Sequence, residues 1–243
     1  MTFDGKVALI TGAAGNLGRA VGAAFHASGA SVVLVDVDAR ALNDAYGATA
    51  ARRLVLAADL IDEASIASAV QAAREKLGRI DILCNVAGGF DAGPPVHETP
   101  ASMWQRMFDL NATSVVNTVK AVVPGMIERK AGNIINVAAA ASARGQPNMA
   151  AYGVAKNAVV RLTESMAAEL RPHGLSVCCV MPTIIDTPQN RKAMPDADTS
   201  QWTPPEAIAE VMLFLGSDAA MIMNGCAIVL SGAGRGKLHG SGR

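Results

Sequence analysis

"KVALITGAAGNLGRAVGAAFHASGASVVLVD", Lys6 to Asp36, joins two short β-branched runs through one longer helical run. "KVALIT" reads as a strand, "NLGRAVGAAFHASG" as a helix ending at Gly29, and "SVVLVD" as a second strand. Between the first strand and the helix lies "TGAAGNLG", Thr11 to Gly18. Glycines there let the backbone turn tightly and approach a pyrophosphate, while the helix start offers free N–H groups and a positive dipole end. A Gly-rich turn alone is weak evidence. Placed after a first strand and opening a helix, it predicts a dinucleotide site built on Gly12, Gly15, Asn16, Leu17 and Gly18. Asp36 ends the second strand, where a carboxylate accepts hydrogen bonds from ribose hydroxyls and repels a 2′-phosphate. Val37 and Gly15 bring no positive charge to offset that repulsion, so NAD(H) is expected over NADP(H). Asp36 also stands where it could cap a helix over Asp38 to Tyr46, and both roles are compatible.

Outward from this unit the alternation continues. "RLVLAAD", "IDILCNVAG", "GNIINVAA", "LSVCCVMP" and "CAIVLSG" read as strands. "ARALNDAYG", "DEASIASAVQAAREKLG" (closed by Gly78), Met149 to Arg171 and "PPEAIAEVMLFLGS" read as helices. A long helical stretch from Pro100 to Lys130 is expected to break near Asp109. The strands are almost continuously apolar, as a sheet buried on both faces requires. The expected architecture is α/β: a single-domain, Rossmann-like, doubly wound parallel sheet over residues 1–232, with helices on both faces. Residues 233–243 form a Gly-rich tail expected to be loose.

Composition narrows the function. Of the 243 residues, 51% are hydrophobic and only 4% aromatic, so the core must be aliphatic. A formal net charge of zero with no basic block gives nothing to attract nucleic acid or an anionic membrane. No apolar run is long enough to span a bilayer, and the N-terminus enters a strand almost at once, leaving no room for a signal peptide. Cys84, Cys178, Cys179 and Cys226 sit in strand-like runs without metal spacing, and the four histidines are scattered. Buried free thiols in the cytoplasm, and no metal, are expected.

"INVAAAASARGQPNMAAYGVAKNAV", Ile135 to Val159, carries the reactive pair. Tyr152 and Lys156 stand four apart on an expected helix and share one face. A phenol with a pKa of about 10 is a poor acid–base catalyst at neutral pH, and a nearby ammonium lowers that value. Asp59 and Leu60 end the third strand, and Asn85, Ala87 and Gly88 end the fourth, beside the expected crevice.

These features in this order resemble the short-chain dehydrogenase/reductase family from Lys6 to about Gly232. "TGAAGNLG" is similar to the family's TGxxxGxG, with Asn16 where glycine is usual; asparagine tolerates a positive φ better than most residues. "NVAG" at Asn85 is a loose match to NNAG, and "YGVAK" supplies Tyr152 and Lys156. "LNATS" supplies Asn111, which the resemblance implies kinks its helix and helps hold a proton-relay water. "MPTIIDT" is similar to the PGxxxT segment that lines the nicotinamide, which implies cofactor contacts from Pro182, Ile184, Ile185 and Thr187. The resemblance further implies a small-molecule substrate, Tyr152 as proton donor or acceptor, Lys156 on the nicotinamide ribose, and a homotetramer or homodimer.

One family position is changed. Ala139 stands thirteen residues before Tyr152, where the resemblance implies a serine that donates to the substrate oxygen. Ser142 lies three residues on and would point elsewhere if the strand continued. The loop from Ile184 to Pro204 is similar to that of dihydropteridine reductases, a divergent branch that also lacks the serine and shares the spacing of Gly12, Gly15 and Gly18. Quinonoid dihydropterin reduction is the specific expectation. The alternatives are an alcohol or carbonyl (including 3-oxoacyl) oxidoreductase, or a nucleotide-binding pseudoenzyme. Phe90, Met194 and Trp202, with Ala139, are the candidate substrate contacts.

Overall fold

The computed structural model describes residues 1–232. The tail expected to be loose, 233–243, lies outside them. Seven strands form one parallel sheet: β1 Val7–Thr11, β2 Ser31–Asp36, β3 Arg53–Ala57, β4 Ile82–Asn85, β5 Gly132–Val137, β6 Leu175–Pro182 and β7 Ala227–Leu230. Their order is β3-β2-β1-β4-β5-β6-β7. The direction of winding therefore reverses between β1 and β4, and a crevice opens beyond their carboxyl ends.

Eight α-helices are described: α1 Asn16–Ala27, α2 Ala39–Tyr46, α3 Glu63–Leu77, α4 Ala101–Phe108, α5 Ser114–Arg129, α6 Ala150–Leu170, α7 Pro188–Ala193 and α8 Pro205–Leu215. Apolar side chains of α1 and α8, including Val21, Phe25, Ile208 and Met212, pack with Ile10, Leu34 and Val180 on one face of the sheet. On the other face, α3, α5 and α6 contribute Ile66, Val122, Met126 and Leu170 against Leu9, Leu83 and Val177. Both faces are covered, which is why the inner strands carry apolar residues at consecutive positions.

The break expected near Asp109 is a π-helical segment, Asp109–Thr113, between α4 and α5. Such a wide turn frees backbone carbonyls from the i→i−4 ladder. β3 stops at Ala57, short of the expected Asp59, because its partner β2 ends at Asp36; the Ala58 N–H bond to the Asp36 carbonyl is the last rung of that ladder. Cys84, Cys178 and Cys179 are buried, whereas Cys226 precedes β7 and is only partly covered.

Candidate active site

The glycine-rich turn is held by sterics. Gly12 has φ +63°, and a Cβ there would lie 2.7 Å from the Cα of Ala87. A Cβ on Gly18 would meet the Gly12 carbonyl oxygen at 2.1 Å. These contacts press α1 onto β1 and β4. Gly15 precedes α1 and makes no side-chain cap, so the first-turn N–H groups remain open toward the crevice.

The crevice has a volume of ≈ 530 Å³. Gly12, Gly15, Asn16, Leu17, Gly18, Asp36, Asp59, Leu60, Ala87, Gly88, Ile185 and Thr187 line it, as the sequence predicts. Asp36 Oδ2 accepts from the Ala14 N–H at 3.0 Å, so its carboxylate ties the turn to β2. The cap of α2 is Asp38, whose side chain accepts from the Ala41 N–H at 2.9 Å; on this side Asp36 Oδ1 accepts the N–H of Asp38 and none from α2. Leu110, Ser114 and Asn190 also line the crevice and were not foreseen, since no local pattern brings them together. A second cavity, ≈ 390 Å³, opens around Arg19, His26 and Arg53, and none of the predicted site residues lines it.

Asn85 is not part of the lining. Its Nδ2 donates to Asn136 Oδ1 at 2.8 Å, and Asn136 Nδ2 donates to Thr163 Oγ1 at 2.9 Å. This buried polar ladder ties β4 and β5 to α6 and sets the position of the reactive helix. An asparagine inside the apolar run "IINVAA" was the available signal for Asn136. Pro182 is buried in β6 and Ile184 is 42% exposed; neither lines the crevice.

Two of the candidate residues, Asn111 and Lys156, converge on Gly88. A Cβ there would lie 2.7 Å from Asn111 Oδ1 and 2.8 Å from Lys156 Nζ. Lys156 Nζ donates to the Val137 carbonyl at 2.9 Å, and burial lowers its pKa to about 8. Asn111 Oδ1 accepts the Gly89 N–H at 3.1 Å, while Nδ2 donates to the carbonyls of Gly89 and Met107 at 3.0 and 2.9 Å. Its side chain is thus committed to holding the loop after β4. Tyr152 packs against Met107, Ala151 and Ala155 and meets the Phe90 ring edge-on. Burial pushes its pKa up to about 12, and the lowering expected from Lys156 is not found. The Lys156 side chain is engaged by Val137, and with a pKa of about 8 it has become neutral by the pH at which a phenol titrates, so it does not draw the phenol's proton off.

Ala139 is buried beyond the end of β5. The strand does not continue to Ser142. The chain turns through Ala140–Ala143, and Ser142 donates from both its N–H and its Oγ to the Ala139 carbonyl at 3.0 and 2.7 Å. Ser142 therefore cannot replace the missing donor.

The sequence of residues 6–198 matches the family model described as short chain dehydrogenase. The chain belongs to the short-chain dehydrogenase family. It is thereby an oxidoreductase by kinship as well as by fold. It is 34% identical to a D-threitol dehydrogenase of Mycolicibacterium smegmatis, over 95% of this chain and 93% of that one. It is 37% identical to an inactive 2-(S)-hydroxypropyl-CoM dehydrogenase 2 of Xanthobacter autotrophicus, over 84% and 95% of the two chains. The structure of an NAD+-bound xylitol dehydrogenase superposes with a TM-score of 0.87 at 27% identity, covering 96% of this chain and 100% of that one.

Within this short-chain dehydrogenase the loop from Ile184 to Pro204 closes on itself. Ile185 bridges Thr203, and the Thr203 N–H donates to the Ile184 carbonyl at 2.8 Å. Arg191 pairs with Asp186 through two bonds of 2.6 and 2.7 Å. Trp202 is buried at the loop base and Met194 ends α7, so both brace the loop; no described contact joins either to Tyr152. The loop's likeness to dihydropteridine reductases is not supported by these relatives, which are named as dehydrogenases of alcohols. No helix among the described residues is long and apolar enough to cross a membrane.

Proposed function

We propose that this chain interconverts a small secondary alcohol and its ketone with NAD(H). One observation carries the reading: Lys156, four residues from Tyr152 on α6, reaches the Gly88 backbone at the edge of the dinucleotide crevice. The open N–H groups of α1 and the carboxylate of Asp36 fit a pyrophosphate and an unphosphorylated ribose. That carboxylate also supports NAD(H) over NADP(H).

A bound nicotinamide would accept or supply the hydride. Tyr152 takes the hydroxyl proton during oxidation and returns it during reduction. Lys156 holds the ribose from the crevice edge, and the π-helical segment Asp109–Thr113 brings Asn111 beside it, where a water is anchored that exchanges protons with the lysine. Asn111 itself is a positioning residue. Ala139 and Phe90 give the substrate side apolar walls, which favours a compact carbinol flanked by alkyl groups over a polyol or a pterin. Membership of the family supports a homodimer or homotetramer, and the four free thiols support a cytoplasmic setting.

The test is NAD+ reduction with 2,3-butanediol, threitol and cyclohexanol. Turnover should be highest with 2,3-butanediol or cyclohexanol, and Tyr152→Phe should lower it by about 10²–10⁴ while NADH still binds. NADH binding with no Tyr152-dependent turnover on any alcohol or ketone would reject this reading in favour of a nucleotide-binding pseudoenzyme.

A further inference from the structure

Asn16 stands where the family's turn carries glycine, yet the freedom of glycine is not used. Asn16 is the first residue of α1 and does not have a positive φ. Its tolerance of such a φ, expected from sequence, therefore does not explain its presence. Its side chain leaves the turn instead. Nδ2 donates to Gln189 Oε1 at 2.7 Å, joining positions 173 residues apart.

The bond spans the crevice. Gly12, Gly15 and Asn16 form one wall, and Ile185, Thr187 and Asn190 form the other. Gln189 is the second residue of α7, and α7 is tied firmly only to its own base. Asn190 Nδ2 donates to the Ile185 carbonyl at 2.8 Å, and the Asp186 N–H donates to the Thr203 carbonyl at 3.0 Å. Among the described residues, Asn16–Gln189 is the one hydrogen bond between α7 and the glycine-rich turn. Base and α7 thus stand across the opening from the glycine-rich turn, joined to it by that hydrogen bond.

We propose that Asn16 and Gln189 are a latch that closes the crevice over the bound dinucleotide and slows its release. The inference rests on the NAD(H) reading. Asn16 acts here as a positioning residue through Gln189, away from the reacting atoms. One exposed neutral hydrogen bond corresponds to about a two- to tenfold change in an equilibrium.

The experiment measures NADH dissociation by stopped-flow fluorescence, together with amide hydrogen exchange of residues 187–194 in the cofactor-free protein. Wild type, Gln189→Ala, Asn16→Gly and the double variant are compared. Each single variant should release NADH about two- to tenfold faster and raise exchange in that segment. The double variant should go no further than the faster single one, because both remove the same bond. Unchanged rates in the singles, or effects that multiply in the double, would overturn the latch. If wild type binds no NADH, the cofactor reading fails. The exchange data then decide the latch alone, and unchanged exchange in both singles overturns it.

Discussion

The Phe90 ring stands edge-on to that of Tyr152, with centroids 5.0 Å apart and planes at 81°. Phe90 is 62% exposed, so much of its ring lies open to solvent beside the phenol. Edge-to-face pairs contribute about 0.5–1.5 kcal/mol. Phe90→Ala should raise KM for the alcohol about three- to tenfold and leave NADH affinity unchanged. Steady-state kinetics beside an NADH titration will show this; an equal loss in NADH affinity would place Phe90 on the cofactor instead.

Because burial holds the Tyr152 phenol protonated up to about pH 12 in the cofactor-free protein, the base form is scarce at neutral pH. Alcohol oxidation needs the phenolate and ketone reduction needs the phenol. The value of kcat/KM for oxidation should therefore climb from about pH 7 to about pH 10, while that for reduction stays flat or falls. Oxidation already at its plateau at pH 7 would show that the bound cofactor overrides the effect of burial.

Lys156 has its pKa lowered from 10.5 to about 8 by burial, so at neutral pH the folded protein holds a charge in an apolar place. Between those two values the unfolded chain binds the extra proton, so stability contributed by this group rises with pH there and the penalty is largest below pH 8. The penalty is on the order of 3 kcal/mol, and Lys156→Met also loses about 1 kcal/mol with the bond to Val137. The cofactor-free variant should be more stable than wild type by about 2 kcal/mol at pH 7, with the advantage gone above about pH 10.5. Urea unfolding across this range measures it, and a constant difference would point to packing.

Asp36 does two things at once, since its carboxylate faces the crevice and accepts the Ala14 N–H. Asp36→Asn keeps an acceptor for Ala14 but removes the charge. The ratio of NADPH to NADH affinity should rise about tenfold or more, with little change in thermal stability. Asp36→Ala should lose stability as well. An unaltered ratio in Asp36→Asn would mean that the carboxylate does not select the cofactor.

Ala139→Ser restores a donor beside the reacting oxygen. Removing comparable donors elsewhere lowers rates by about 10²–10³, and a site not adapted to one should recover about tenfold on a secondary alcohol. Single-turnover rates for both proteins decide this. A serine variant no faster than wild type would show that this substrate does not use the position.

The sequence by itself determined the sheet, the family, the turn and the shared helix of Tyr152 and Lys156, because these are written locally. Apolar runs of strand length alternate with helical periodicity, Gly12 and Gly18 lie at the first strand–helix junction, and Tyr152 and Lys156 are spaced by one helical turn. Tertiary structure alone decided what each of several side chains does. Asn85 joins Asn136, Asn111 spends its amide on Gly89, Ser142 turns back to Ala139, and Asn16 crosses to Gln189. The physical reason is the same in each case. A short polar side chain bonds to the nearest available partner, and folding brings that partner from as far as 173 positions along the chain. The pKa values of Tyr152 and Lys156 followed burial, which the order of residues encodes only through the packing it produces.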